Sequence, residues 1–296
     1  MKIVQIMLIV FLSIFLVACG SGGGEGVSKQ NFKQGVSELN IEFLNNAPPA
    51  KIYPDSNFKI ILKLDNQAAY DLLNGKISLI GISRNYFDVR PETQSFDVLE
   101  GRSLLAPVGG KQFLEFEGTA GKLFQNANSY RANYFLKVSY DSEVEFSDTI
   151  CINPRLYEMY DSGCEMQDQK SYSGQGAPLA VTNVEIITYP VGSGAKLEFR
   201  FNVAKRGSGE INYAELKNAL IGGKEFQKCE FIGGVGVINP KKALFSKDKQ
   251  EATLVCETIL SDQNSYETTV ALDFDYNYDW LKQYSLVLVN PNSKYY

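Results

Sequence analysis

Residues 196–205 read KLEFRFNVAK. Leu197, Phe199, Phe201 and Val203 alternate with Lys196, Glu198, Arg200 and Asn202. A strand built this way has one apolar face and one wet face. The same pattern occurs earlier, in FKIILKLDN at residues 58–66. There Phe58, Ile60, Leu62 and Leu64 lie opposite Lys59, Lys63 and Asp65. Period two of this quality belongs to antiparallel sheets with one side in water. Seventeen tyrosines and eighteen phenylalanines against one tryptophan agree with many strands. The expected fold class is all-β.

The two stretches sit in matching surroundings. IEFLNNAPPAKIYPDSN precedes the first and VEIITYPVGSGA the second, each a strand followed by a proline-containing turn. NQAAYDLLNG and KRGSGEIN follow them as turn signals. Further on, ANYFLKVSYDSEVEFSDTICI pairs with TTVALDFDYNYDWLKQYSLVLV, each expected as a strand, a polar reversal and a second strand. Such repetition predicts tandem domains rather than a solenoid. The expected division is residues 35–153 and 177–292 as two immunoglobulin-like β-sandwiches. Residues 154–176 form a linker between them and residues 293–296 a frayed tail. In NYAELKNALIGG, Tyr213, Leu216 and Leu220 share a helical face, so a short helix ending at Gly222 is expected there.

At the N-terminus, Lys2 precedes the uncharged apolar run Ile6–Ala18, which is shorter than the ~20 residues a spanning helix needs. Leu16-Val17-Ala18-Cys19 resembles the lipobox of prokaryotic lipoproteins. The resemblance implies that residues 1–18 are a signal peptide and that Cys19 carries a diacyl lipid. Two acyl chains hold a protein stably to a bilayer where one does not. The glycine- and serine-rich residues 19–34 would act as a flexible tether. No second apolar segment is long enough to span, so the membrane is expected as a partner only through the lipid.

Four further cysteines, Cys151, Cys164, Cys229 and Cys256, read as disulfides in an exported chain. Three connectivities are open. Pairing Cys151 with Cys164 and Cys229 with Cys256 keeps each bond within one region and is the one expected. The run EFLNNAPPAKIYPDSNFKIILKLDNQAAYDLLNGKISL, the cysteines at 151 and 164 and SGQGAPLAVTNVEI together resemble uncharacterised envelope proteins of archaea, chiefly of small-genome lineages. PLAVTNVEI with GSGAKLEFRFNVAKRGSGE looks like the adhesion-related sandwich domains of archaeal and bacterial surface proteins. The likeness covers most of residues 36–290. It implies a fold and a location and transfers no activity.

Composition narrows the function. Histidine is absent, which removes Ser-His-Asp and Cys-His catalysis and most zinc chemistry. A net charge of -5 without a basic run disfavours nucleic acid. Acid pairs such as Glu115 and Glu117 read as a solvated strand face, and GGVGVI from Gly233 as a turn. Ser56–Lys59 and Ser246–Lys249 match S-x-x-K without the helix start that acylases need. In DFDYNYD, the residues Asp273, Asp275, Asn277 and Asp279 mimic the first ligands of a calcium loop. The glycine and glutamate such a loop requires are replaced by Tyr278 and Tyr284, so a plain strand is the better reading. In NYFDVRPETQSFDV, the residues Tyr86, Phe87, Arg90 and Phe96 could form a partner-binding loop, although core packing accounts for its aromatics too. The expectation is a non-enzymatic surface protein without cofactor, acting in adhesion, envelope organisation or appendage assembly. Its partner would be a protein or glycan. The alternative is a lipoprotein that captures a sugar or peptide.

Overall fold

A computed structural model describes residues 31–124, 127–153, 163–192, 194–260 and 265–292. Phe32–Tyr296 forms one compact unit. The first repeat contributes β1 (Leu39–Phe43), β2 (Asn57–Asn66), β3 (Leu72–Ile80), β4 (Phe87–Arg90), β5 (Thr93–Leu99), β6 (Lys111–Ala120) and β7 (Ser129–Ile152). A short β8 (Gln169–Ser171) follows. The second repeat contributes β9 (Leu179–Val191), β10 (Gly194–Lys205), β11 (Glu210–Ile221), β12 (Lys224–Glu225), β13 (Lys228–Ile232), β14 (Gly236–Asn239), β15 (Lys242–Leu244), β16 (Glu251–Leu260) and β17 (Tyr266–Val289). The protein is all-β, as its period-two pattern requires. The two quoted stretches become β2 and β10, with every second side chain buried.

Three antiparallel sheets result. β1-β2-β6-β4 forms one small sheet, and β13-β16-β10-β9-β8 the other. A large sheet runs β14-β15-β11-β17-β7-β3-β5, with β12 beside β11. The two small sheets cover different ends of the large one, making two sandwiches. The sheet orders β1-β2-β6-β4 and β9-β10-β16-β13 both match the A-B-E-D order of an immunoglobulin-like domain.

The structure departs from the sequence reading at the expected reversals. Neither β7 nor β17 turns back. Each is a single strand of 24 residues, and they pair along their whole length from Tyr266↔Ile152 to Val289↔Ser129. The physical reason is in the residues. DSEVEF and DYNYDWLKQY contain no glycine or proline and keep a mostly alternating pattern, broken at the buried Ser142 and at Leu281 and Lys282, so most of their polar residues face water on a continuing strand rather than marking a turn. At about 3.3 Å per residue each strand extends about 80 Å, long enough to serve both sandwiches.

The aromatic contacts show this division. On β17, Phe274 lies 6.2 Å from Phe231 of the second sandwich, whereas Tyr284 lies 4.7 Å from Phe43 of the first. On β7, Tyr134 is 6.1 Å from Tyr284, whereas Phe146 is 6.1 Å from Phe201 of the second sandwich. Pairing agrees: β3 flanks β7 only from Phe135 to Ser142, and β11 flanks β17 only from Val270 to Asp279. Each long strand is therefore the F strand of its own sandwich and then the G strand of the other. Both sandwiches are present, but the boundaries drawn at residues 153 and 177 do not separate them, because each needs the other repeat to complete its sheet.

β11 replaces the helix expected over NYAELKNALIGG. Bulges between Ile211 and Tyr213 and between Leu216 and Asn218 each insert one residue. They space the buried side chains Ile211, Ala214, Leu216 and Ile221 irregularly, which in sequence mimics a helical face.

Both expected disulfides are formed. Cys151–Cys164 ties the end of β7 to the segment before β8, and Cys229–Cys256 links directly paired residues of β13 and β16. Such bonds form in oxidising, extracytoplasmic compartments. Cys19, the proposed lipid attachment point, lies outside the described residues, as do the signal segment and the 293–296 tail.

Candidate binding groove and sheet edge

Where the two repeats meet, Tyr140 and Tyr278 pair across β7 and β17 with ring centroids 5.3 Å apart. The Tyr278 hydroxyl donates to Glu38 Oε2 at 2.5 Å, and Ser208 Oγ donates to Glu38 Oε1 at 2.7 Å. This joins the start of the first repeat to the β10–β11 loop of the second. Burial pushes the Tyr278 hydroxyl well above the ordinary tyrosine range, and the Glu38 hydrogen bond adds to the shift. Tyr278 thus remains a neutral donor. The loop comes this close because it is RGSG: a Cβ on Gly209 would sit 2.2 Å from the Asp279 carbonyl oxygen.

Beside this junction lies a groove of about 570 Å³. Ile80 of β3, Phe135 of β7, and Trp280 and Leu281 of β17 supply its apolar wall. Lys137, Lys247, Asp279 and Glu210 supply charge, with Lys137 Nζ 3.2 Å from Asp279 Oδ2. Residues of both repeats form it, so it exists only because the sheet is shared.

β17 is also open along this groove. β11 leaves it at Asp279, and the next backbone partner is Ile52, whose N–H donates to Val287 O at 2.9 Å and whose carbonyl accepts from Val289 N at 2.8 Å. By the period of a strand, Leu281, Gln283 and Ser285 point their N–H and C=O groups to the same side. Among the described residues no strand pairs with them there. The matching edge of β7 is blocked. Tyr70 Oη accepts from Glu145 N at 3.1 Å and donates to Glu145 O at 3.2 Å, and Lys170 Nζ donates to Thr149 O at 3.3 Å. The loop carrying Tyr70 has its counterpart in RGSG, which has no aromatic residue.

The residues singled out from sequence scatter. Phe87 and Phe96 are buried, Phe87 against Phe58 and Phe96 against Gly75, so neither can meet a partner. Tyr86 stacks on Tyr130 at 3.8 Å. Arg90 alone is well exposed, paired with Asp88 at 3.1 Å. These four form no common surface, because β4 and β5 direct both phenylalanines inward.

Asp273, Asp275, Asn277 and Asp279 alternate along the outer face of β17. Asn218 Nδ2 donates to Asp273 at 2.9 Å, Lys217 pairs with Asp275 at 3.1 Å, and Asn277 Nδ2 donates to Asp141 at 2.7 Å. Across the ribbon the acids face acids: Asp273 opposes Glu145 and Asp275 opposes Glu143. Partial burial, then repulsion by Glu145 and Asp275, raises the Glu143 carboxyl above its ordinary range. Among the described residues no group of three or more side chains is arranged to hold a metal ion.

Glu115 pairs with Lys59 on an exposed strand face, and Ser56 Oγ donates instead to Tyr53 O at 2.6 Å. The groove and the open edge were not legible from sequence. The missing aromatic in RGSG was the one local signal.

No family model matches the chain, and no curated protein matches it. Among solved structures it is similar to the E. coli chaperone DraB, at 12% identity, covering 79% of this chain and 86% of that one, with a TM-score of 0.20. It is also similar to the Salmonella enterica SafA pilin in complex with the SafB chaperone, at 11% identity, 79% and 98% coverage, and a TM-score of 0.21. Similarity at this level says nothing about function.

Proposed function

We propose that this is a lipid-anchored envelope protein with a non-catalytic role, which binds an extended segment of a protein partner along the open edge of β17. One observation carries this: among the described residues no strand pairs with the outer backbone edge of Leu281, Gln283 and Ser285, which runs beside the groove, whereas the equivalent edge of β7 is capped by Tyr70 and Lys170. Exposed edges are usually blocked, since they recruit strands. An added strand would gain main-chain hydrogen bonds and could place alternate side chains beside Leu281. The disulfides fit an extracytoplasmic site. The lipobox-like Leu16–Cys19 supports attachment to the membrane there, with the body tethered by residues 19–34.

The test places a photoreactive residue at Leu281 and compares it with the same chain carrying Gln283→Pro, which removes one edge N–H. Crosslinking in intact cells should capture a protein, the proline should abolish capture, and the 283 and 285 amides should exchange more slowly in the complex. Capture indifferent to the proline would sink the strand-addition reading. Capture of a glycan instead would favour the ligand-binding alternative.

A further inference from the structure

The loop between β5 and β6 is built the wrong way round for a surface loop. Its sequence, RSLLAPVGG at residues 102–110, puts Leu104, Leu105 and Val108 outside at 79%, 99% and 59% exposure. Surface loops are ordinarily polar, and three adjoining apolar side chains held in water need an explanation. The backbone of the loop is fixed. Ser103 N donates to Ala106 O at 3.0 Å, Ala106 N to Ser103 Oγ at 3.0 Å, and Gly109 N to Ala106 O at 3.2 Å. Arg102 Nε donates to Pro107 O at 3.1 Å. Below, the fully buried Asn66 amide binds the carbonyls of Leu99 and Glu100 at 2.9 and 3.0 Å. The leucines are held out by the loop's own hydrogen bonds.

The position of the loop points to what covers it. The Arg102 guanidinium lies over the ring of Phe32, 4.8 Å from its centroid. Phe32 is where the chain enters the folded body. Only twelve residues, 20–31, separate it from Cys19, and GSGGGEG begins them. Twelve residues can reach no further than about 43 Å. The strands β7 and β17 each extend about 80 Å, so that reach covers only part of the body. An anchor at Cys19 therefore keeps the side of the body that carries Phe32, and the loop beside it, close to the bilayer.

We infer that Leu104, Leu105 and Val108 insert into the membrane interface as a second contact beside the lipid, fixing which way the body faces. This rests on the lipid-anchor reading of Cys19. Apolar tips of this kind sit at the boundary between headgroups and acyl chains, where leucine is favourable and the adjacent Arg102 can remain among phosphates. The loop starts level with Ser142, midway along β7, so the orientation would turn this side of the junction between the sandwiches to the membrane.

The test uses the full chain in phosphatidylcholine/phosphatidylglycerol vesicles with an environment-sensitive fluorophore on Leu105→Cys, and Ile259→Cys in the second sandwich as the remote site. Vesicle flotation of the wild type and of Cys19→Ser reads the anchor separately. The Leu105 probe should shift to the blue and be quenched by brominated lipids, with the Ile259 probe unaffected. If flotation depends on Cys19 but both probes behave alike, the insertion is wrong and the anchor stands. If Cys19→Ser floats like the wild type, the lipid reading fails. In that case quenching at Leu105 supports contact by the loop itself, and its absence overturns the inference.

Discussion

Glu143 shows how the outer face of the ribbon is balanced. It stands opposite Asp275 with Glu145 two residues along, and its carboxyl is held above the ordinary range by partial burial and by these neighbours. Directly opposed like charges destabilise a strand pair by a few tenths of a kcal/mol to about 1 kcal/mol. A raised folded-state pKa favours the folded protein at low pH, and that stability is lost as pH rises through the folded value. Glu143→Gln should therefore raise the melting temperature at neutral pH, and the gain should vanish below about pH 4.3 and shrink in high salt. An unchanged melt at neutral pH would mean that Lys217 and Lys33, paired with Asp275 and Glu145, already neutralise the face. The candidate aromatics were half legible at this scale. Phe87 and Phe96 look the same in sequence whether they face a partner or a core, and only the direction of β4 and β5 decides.

At the scale of elements, the alternation in β2 and β10 reads directly as strands, and β11 does not. Its bulges displace alternate side chains by one residue, and a local pattern cannot tell that from helical spacing. The Cys229–Cys256 bond joins paired residues of β13 and β16 and closes a loop of sequence separation 27. By loop-closure entropy its loss costs about 3.6 kcal/mol. Replacing both cysteines by alanine should lower stability by that order in denaturant unfolding, with a lower midpoint and a steeper slope, because the unfolded chain loses its cross-link and expands. A loss below ~1 kcal/mol would show that β13 is held by the sheet and the packing of Phe231 alone.

For the whole molecule, the reciprocal use of β7 and β17 makes a thermodynamic claim. Leu286, Leu288 and Val289 at the end of β17 are buried in the first sandwich, although they belong to the second repeat. Each such side chain is worth roughly 1.5–3 kcal/mol, against a total stability of about 5–15 kcal/mol for a domain. Calorimetry should give one cooperative transition, and a chain ending at Asp279 should lose both sandwiches together. Two resolved transitions, or a first sandwich that survives the truncation, would refute the coupling. The sequence by itself determined most of the strands, their wet and dry faces and the two repeats, because period two is a local property of the chain, and among three open disulfide pairings it favoured the one formed. It could not show that the presumed reversals are continuous, that each sandwich borrows its last strand from the other repeat, or that this leaves one sheet edge capped and the other open. Those depend on which distant strand wins the hydrogen bonds of β7 and β17. That contest is settled between segments a full repeat apart, where the alternating pattern of each permits either partner.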